Sequence, residues 1–170
     1  MTLSIRLATA ADAGTIHRAL LGIAEHVGET HRVTSTADDI RRHGFGERPA
    51  FRALIAEADG SFAGLCLFFP SFSTWKGRPG VYVQDLFVDP AYRGRRVGER
   101  LLKSVARLAR EEGATYLRLS VDAKNHAGRA FYDRLGMKWA DQEMIRAAYD
   151  ADFVALAEDA AIGARTGDDR

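Results

Sequence analysis

Residues 3–8, LSIRLA, alternate apolar and polar positions, the period of two that marks a strand with one covered face. After Thr9 the period changes: Ile16, Ala19, Leu20 and Ile23 fall on one side of a helix over residues 9–25, with Thr9 or Asp12 placed to cap its first free amides. STADDIRRHGF (35–45) predicts a short second helix capped by Ser35 or Thr36. FRALIAEADGSFAGLCLFF (51–69) is two apolar runs broken by Asp59-Gly60, a dipeptide that accepts the positive φ values of a tight hairpin. PSFSTWKGRPG (70–80) reads as loop. VYVQDLFV (81–88) is apolar at both parities and predicts an interior strand covered on both faces.

From Arg96 to Glu112 the apolar positions Val97, Leu101, Val105, Leu108 and Ala109 trace one stripe, while Glu99, Arg100, Lys103, Arg107 and Arg110 face water. TYLRLSVD (115–122) alternates again, NHAGRAFYDRLG (125–136) predicts a helix closed by Gly136, and MKWADQEMI (137–145) predicts a returning strand. DADFVALAEDA suits a closing helix, and residues 161–170 read as a polar tail. The order predicts an α/β fold of the mixed α+β kind. Its sheet is mostly antiparallel, of about six to seven strands with one parallel crossover, and helices lie on both faces of a single domain over residues 1–160.

Composition narrows the function classes. Lys and Arg number 24 against 23 Asp and Glu, so no whole-molecule field draws the chain to nucleic acid or a membrane. The single cysteine, Cys66, sits inside GLCLFF, which excludes a disulfide framework and a cysteine metal cluster and fits a cytoplasmic protein. His17, His31, His43 and His126 show no metal-ligand spacing, so no metal is expected. No apolar stretch approaches the roughly 20 residues of a membrane span.

The chemistry concentrates in DPAYRGRRVGERLL (89–102), a glycine-containing loop running from a strand into a helix. Such a junction aims backbone N–H groups and the positive end of the helix dipole at one place, an anion site that suits phosphate. Gly94 can take a conformation closed to other residues, Gly98 holds no side chain against a ligand, and Arg93, Arg95, Arg96 and Arg100 surround them. A capped surface helix with a solvated arginine cluster reads the same residues without a ligand.

QDLFVDPAYRGRRVGERLL resembles the acyl-coenzyme A signature of the GNAT superfamily of N-acetyltransferases, whose Arg/Gln-x-x-Gly-x-Gly loop follows the fourth strand. Here the loop reads Arg93-Gly94-Arg95-Arg96-Val97-Gly98, with Arg96 in place of the middle glycine. NHAGRAFYDRLG resembles the superfamily's asparagine-to-tyrosine helix, and puts Asn125, Gly128 and Tyr132 on one face. Read alone, the helix favours Asn125 as a cap and Tyr132 as an ordinary half-buried aromatic. Over about residues 5–140 the chain is similar to the diamine and thialysine N-acetyltransferase branch.

The resemblance implies a GNAT-like fold, acetyl-CoA as cosubstrate and a primary amine of a small molecule as acceptor. It implies a cofactor site of Leu86, Phe87, Val88, Arg93, Gly94, Arg95, Arg96, Val97, Gly98, Glu99, Asn125 and Gly128, in which a backbone N–H among residues 86–88 meets the acetyl oxygen. Tyr132, protonated at neutral pH, becomes the general acid toward the thiolate, and Asp85 is the candidate base. Cys66 reads as core, so direct transfer is preferred to a thiol relay.

Where the branch carries an acidic pair on the reacting strand, this chain has Gln84-Asp85, and where it ends its first helix in tyrosine-glutamate, this chain has His26-Val27. Gln84 and His26 are therefore substrate-site candidates, and two lost negative charges point away from polyamines. The acceptor expected is a small diamine/thialysine-like or amino-acid-like amine, with a small amine of one cationic end or an amino sugar also open. A homodimer follows from the resemblance. The alternative is a catalytically weak acyl-CoA-binding sensor or interaction module, in which Arg96 and Gln84 have loosened both subsites.

Overall fold

The computed structural model describes residues 2–141 and 143–158. Its sheet has five strands in the order β1 (Leu3–Leu7), β2 (Arg52–Ala58), β3 (Ser61–Ser73), β4 (Arg78–Val88) and β5 (Leu117–Leu119). The first four are antiparallel and β5 joins β4 in parallel. The helices are α1 (Ala13–Val27), α2 (Ala37–Phe45), α3 (Val97–Glu111), α4 (His126–Arg134) and α5 (Asp150–Glu158). Two compact units divide the chain at Ala130/Phe131, inside α4.

The hairpin turn forms as its residues require, with Asp59 at φ 49° and Gly60 at φ 80°. Thr36 caps α2 by accepting from Asp39 N–H at 3.1 Å. Before α1, Asp12 accepts from Thr9 N–H at 2.7 Å and from Arg6 Nη1 at 2.8 Å, while Arg6 also reaches Glu57 at 2.9 Å. This triad ties β1, the start of α1 and β2 together.

Three sequence expectations are corrected. Residues 137–145 form no strand among those described, so the sheet has five strands rather than six or seven; Trp139, Met144 and Ile145 stay exposed, with no sheet face to bury them. The strand expected over 115–122 shrinks to Leu117–Leu119, because its ladder with β4 covers only Val81–Val83. Residues 70–80 are no loop. β3 and β4 pair out to Ser73↔Arg78, since the hairpin spends only residues 74–77 on its turn, and Gly77 at φ 58° closes it. The closing helix is present as α5, and the tail at 161–170 lies outside the described residues.

Both faces of the sheet are covered. Ala13, Ile16 and Ala19 of α1 and Ile40 of α2 pack on Ala53, Ile55, Leu65 and Leu67. Gly64, one residue from Leu65 and so on the opposite face, lies under Val97 and Leu101 of α3. Every apolar position of the predicted α3 stripe except half-buried Leu108 is buried, and Leu102 is buried beside them.

Candidate active site

The site is built where β4 changes partners. Between Phe68↔Val83 and Leu67↔Asp85 the register gains one residue on β4, so Gln84 is the extra residue of a β-bulge. Pairing with β5 has already stopped at Val83. From Gln84 onward no strand among the described residues pairs with the β5-side edge of β4.

Parity identifies which amides face that edge. Asp89 N–H donates to Ala63 of β3 at 3.1 Å, so Asp89 and Phe87 turn their backbone groups toward β3, and Leu86 and Val88 turn theirs the other way. Of the three candidates at 86–88, Leu86 and Val88 present N–H groups to the opening. Phe87 serves instead through its ring, which stacks on Phe62 at 6.2 Å and lies against α1 where Gly22 leaves room. A Cβ at Gly22 would come within 2.7 Å of that ring.

The loop after β4 completes the opening. Asp89 accepts from Ala91 N–H at 2.9 Å, starting a single turn over Pro90–Tyr92, and Arg93 Nε returns to the Val88 carbonyl at 3.3 Å. Gly94 then takes φ 75° and Arg96 φ 62°, ψ 19°, both left-handed. The second value explains the glycine of the superfamily pattern: Arg96 holds the glycine's backbone shape at a cost of roughly 1–2 kcal/mol. Arg96 is the N-cap of α3 with no side-chain cap bond, so the amides of Val97, Gly98 and Glu99 begin the helix without intrahelical acceptors. Val97 and Gly98 are buried, Glu99 pairs with Lys103 at 2.6 Å, and the Arg95 guanidinium lies over the Tyr92 ring at 5.8 Å. Directed amides, a dipole end and exposed arginines form a donor set that fits a pyrophosphate.

Asp85 lies on the α1–α2 face, opposite Leu67, and burial raises its carboxyl to about 6. It is thus an anion at neutral pH with an appetite for a proton closer to that pH than an ordinary carboxylate has. Gln84, beside it, is exposed. Cys66 is fully buried, and burial together with the Asp85 charge pushes its thiol up to about 12, so it remains a thiol at neutral pH and offers no thiolate.

His26 is exposed in the last turn of α1. Asn125 accepts from Gly128 N–H at 2.8 Å and so caps α4, and a Cβ at Gly128 would meet that amide at 2.7 Å. Tyr132 belongs to the second unit, half-buried and edge-on to Phe131 at 5.1 Å. Two features escaped the sequence: the bulge at Gln84, because a bulge has no residue signature here, and the close passage of α1 over Phe87, for which Gly22 inside a helical stripe was the available signal.

A family model described as the acetyltransferase (GNAT) family matches residues 18–137. A thialysine N-epsilon-acetyltransferase of Bos taurus is 37% identical over 140 residues, covering 78% of this chain and 82% of the relative, and that of Mus musculus is 36% identical over the same length. A ribosomal-protein-alanine N-acetyltransferase of Brucella melitensis shares the fold with a TM-score of 0.71 at 22% identity, over 88% of this chain and 100% of that one.

Proposed function

The chain belongs to the GNAT acetyltransferase family and is an acyltransferase, and from that premise we propose that it moves an acetyl group from acetyl-CoA to the primary amine of a small, amino-acid-like molecule such as thialysine. The observation that carries the proposal is the edge of β4 beyond the Gln84 bulge, where the Leu86 and Val88 amides face away from β3, followed directly in the chain by the arginine loop and the uncapped N-terminus of α3. Val97, Gly98 and Glu99 amides with Arg93, Arg95 and Arg96 would hold the pyrophosphate. Asn125 and Gly128 border the same cosubstrate in this reading. Acetyl-CoA supplies an acetyl group activated as a thioester.

The residues of the chain do the remaining work. Asp85 takes the proton that the ammonium must lose before its nitrogen can attack. Leu86 or Val88 N–H donates to the acetyl oxygen as negative charge gathers there. The nitrogen–carbon bond forms as the carbon–sulfur bond breaks, Tyr132 O–H gives its proton to the departing sulfur, and the second proton shed by the acylated nitrogen restores the phenol. Gln84 and His26 border the amine without adding a carboxylate, which supports a substrate with one cationic end. The buried thiol of Cys66 supports transfer without a cysteine relay and a reducing, cytoplasmic setting. The active form in this reading is a homodimer.

Calorimetric titration with acetyl-CoA, followed by thiol release against thialysine, lysine, diamines and amino sugars, tests the proposal. Thialysine should turn over fastest. Tyr132→Phe should lower kcat by about 10- to 100-fold with acetyl-CoA affinity unchanged; failure of acetyl-CoA to bind the wild-type protein would refute the enzyme reading.

A further inference from the structure

The α1–α2 face of the sheet carries a row of side chains that starts at Asp85 and runs on through residues the acetyl-transfer chemistry does not use. Leu67 and Phe69 are two apart on β3 and therefore share a face, and their partners on β4 are Asp85 and Tyr82. Phe69 and Tyr82 stack with centroids 5.2 Å apart and planes 22° from parallel. One strand further, Tyr82 pairs with Arg118 of β5. The Tyr82 hydroxyl and Ser120 Oγ share a hydrogen bond of 2.7 Å, which sets Ser120, and with it Arg118 two residues earlier, on the same side.

Along that face the order is a carboxylate, a flat aromatic pair and a guanidinium, reached by stepping from Asp85 past the Gln84 bulge to Tyr82 and across to Arg118. We propose that this row reads the acceptor end to end: Asp85 receives the reacting amine, the Phe69–Tyr82 stack carries the aliphatic chain, and Arg118 binds a carboxylate at its far end. The inference rests on the acetyltransferase reading above and adds to it the residue that recognises the distal group.

The chemistry agrees at each step. Methylenes lose water against an aromatic face, and an ammonium nearing Asp85 meets π-electron density rather than apolar carbon. A guanidinium is the side chain best suited to a planar carboxylate, which it can hold with two parallel N–H donors. The same cation repels a second ammonium, so a polyamine lying in this direction would meet a positive charge where it needs a negative one. With Gln84 neutral beside Asp85, the row has a carboxylate at one end and a guanidinium at the other and so matches an ω-amine with a distal carboxylate rather than a diamine.

The test uses thialysine and its carboxamide, which keep both amines and the whole chain and differ only in the carboxylate. Wild type should bind and acetylate the acid at least about tenfold better than the amide, the scale of a charge-assisted contact. Arg118→Gln should raise KM for the acid by that factor, leave kcat within about twofold, and leave KM for the amide unchanged or lower, since its α-ammonium no longer faces a cation. Arg118→Lys, a single point charge without the fork, should restore part of the preference. Equal treatment of acid and amide by wild type, or an equal loss on both in the variant, overturns the assignment. Calorimetry on the same pair separates the two readings: a preference in binding without turnover sustains the carboxylate site and sinks the acetyltransferase proposal, whereas turnover without preference does the reverse.

Discussion

Arg96 is the position where residue chemistry and backbone shape disagree most openly. Its left-handed φ of 62° is one a glycine takes freely, and a Cβ there crowds the following carbonyl. The loop nevertheless keeps the geometry that frees the amides of α3, and the proposed function adds a role for the side chain, a charge beside the phosphate site. Arg96→Gly therefore moves two measurements in opposite directions. Thermal or denaturant unfolding should show a gain of up to about 1 kcal/mol, the relieved strain less the added freedom of a glycine in the unfolded chain. Titration with acetyl-CoA should show roughly 3- to 10-fold weaker binding from the lost charge-assisted contact. Stability that rises with affinity unchanged would mean that Arg96 points its charge at solvent alone.

At the scale of elements, the decisive contact is α1 on β4. Two glycines of α1 make the comparison, since Gly14 has room for a methyl group, with Arg18 Nη1 at 3.6 Å, whereas a Cβ at Gly22 would meet the Phe87 ring at 2.7 Å. Alanine is the better helix former by roughly 1 kcal/mol, so Gly14→Ala should stabilise the protein by up to that amount, while Gly22→Ala should cost about 1–2 kcal/mol net as the ring is displaced. Because Phe87 lies between Leu86 and Val88, the displaced ring also disturbs the amides at the opening, and kcat for Gly22→Ala should fall about tenfold. Much at this scale was legible beforehand: the Asp59-Gly60 turn, the Thr36 cap and the α3 stripe each rest on chemistry that neighbours in sequence supply. The β3–β4 arm was misread because Pro79, Gly77 and Gly80 suggest turns even where only Gly77 lies in one. The bulge at Gln84 and the row from Asp85 to Arg118 depend on register between strands, which no single segment encodes.

For the whole molecule two of the perturbed carboxylates, Asp12 and Asp85, pull stability in opposite directions along the pH axis. Asp12 is held well below the usual carboxylate range, first by its hydrogen bonds to Arg6, so the stability it brings is present above the ordinary value near 4 and is lost as pH falls toward its folded value. Asp85 is raised by burial to about 6, so between about pH 4 and 6 the folded state binds more protons than the unfolded one. Its contribution is therefore fully present below about pH 4 and disappears as pH rises through 6. Asp85→Asn removes that proton uptake and leaves the Arg6–Asp12–Glu57 triad in place. Denaturant unfolding of the variant against wild type should show no pH-dependent difference below pH 4, then a growing advantage for the variant that levels off above about pH 6.5. The plateau should be about 1–3 kcal/mol, the upper end being the full shift and the lower end allowing for solvent reaching a half-buried carboxyl. The same substitution should lower turnover by about 100-fold, because the proton acceptor is gone. A more stable and less active protein, with the stability gain confined to the pH range where Asp85 ionises, identifies a carboxylate kept in an unfavourable environment for the sake of its basicity. A flat stability difference across pH would place the carboxyl in water in solution and remove the argument for it as the base.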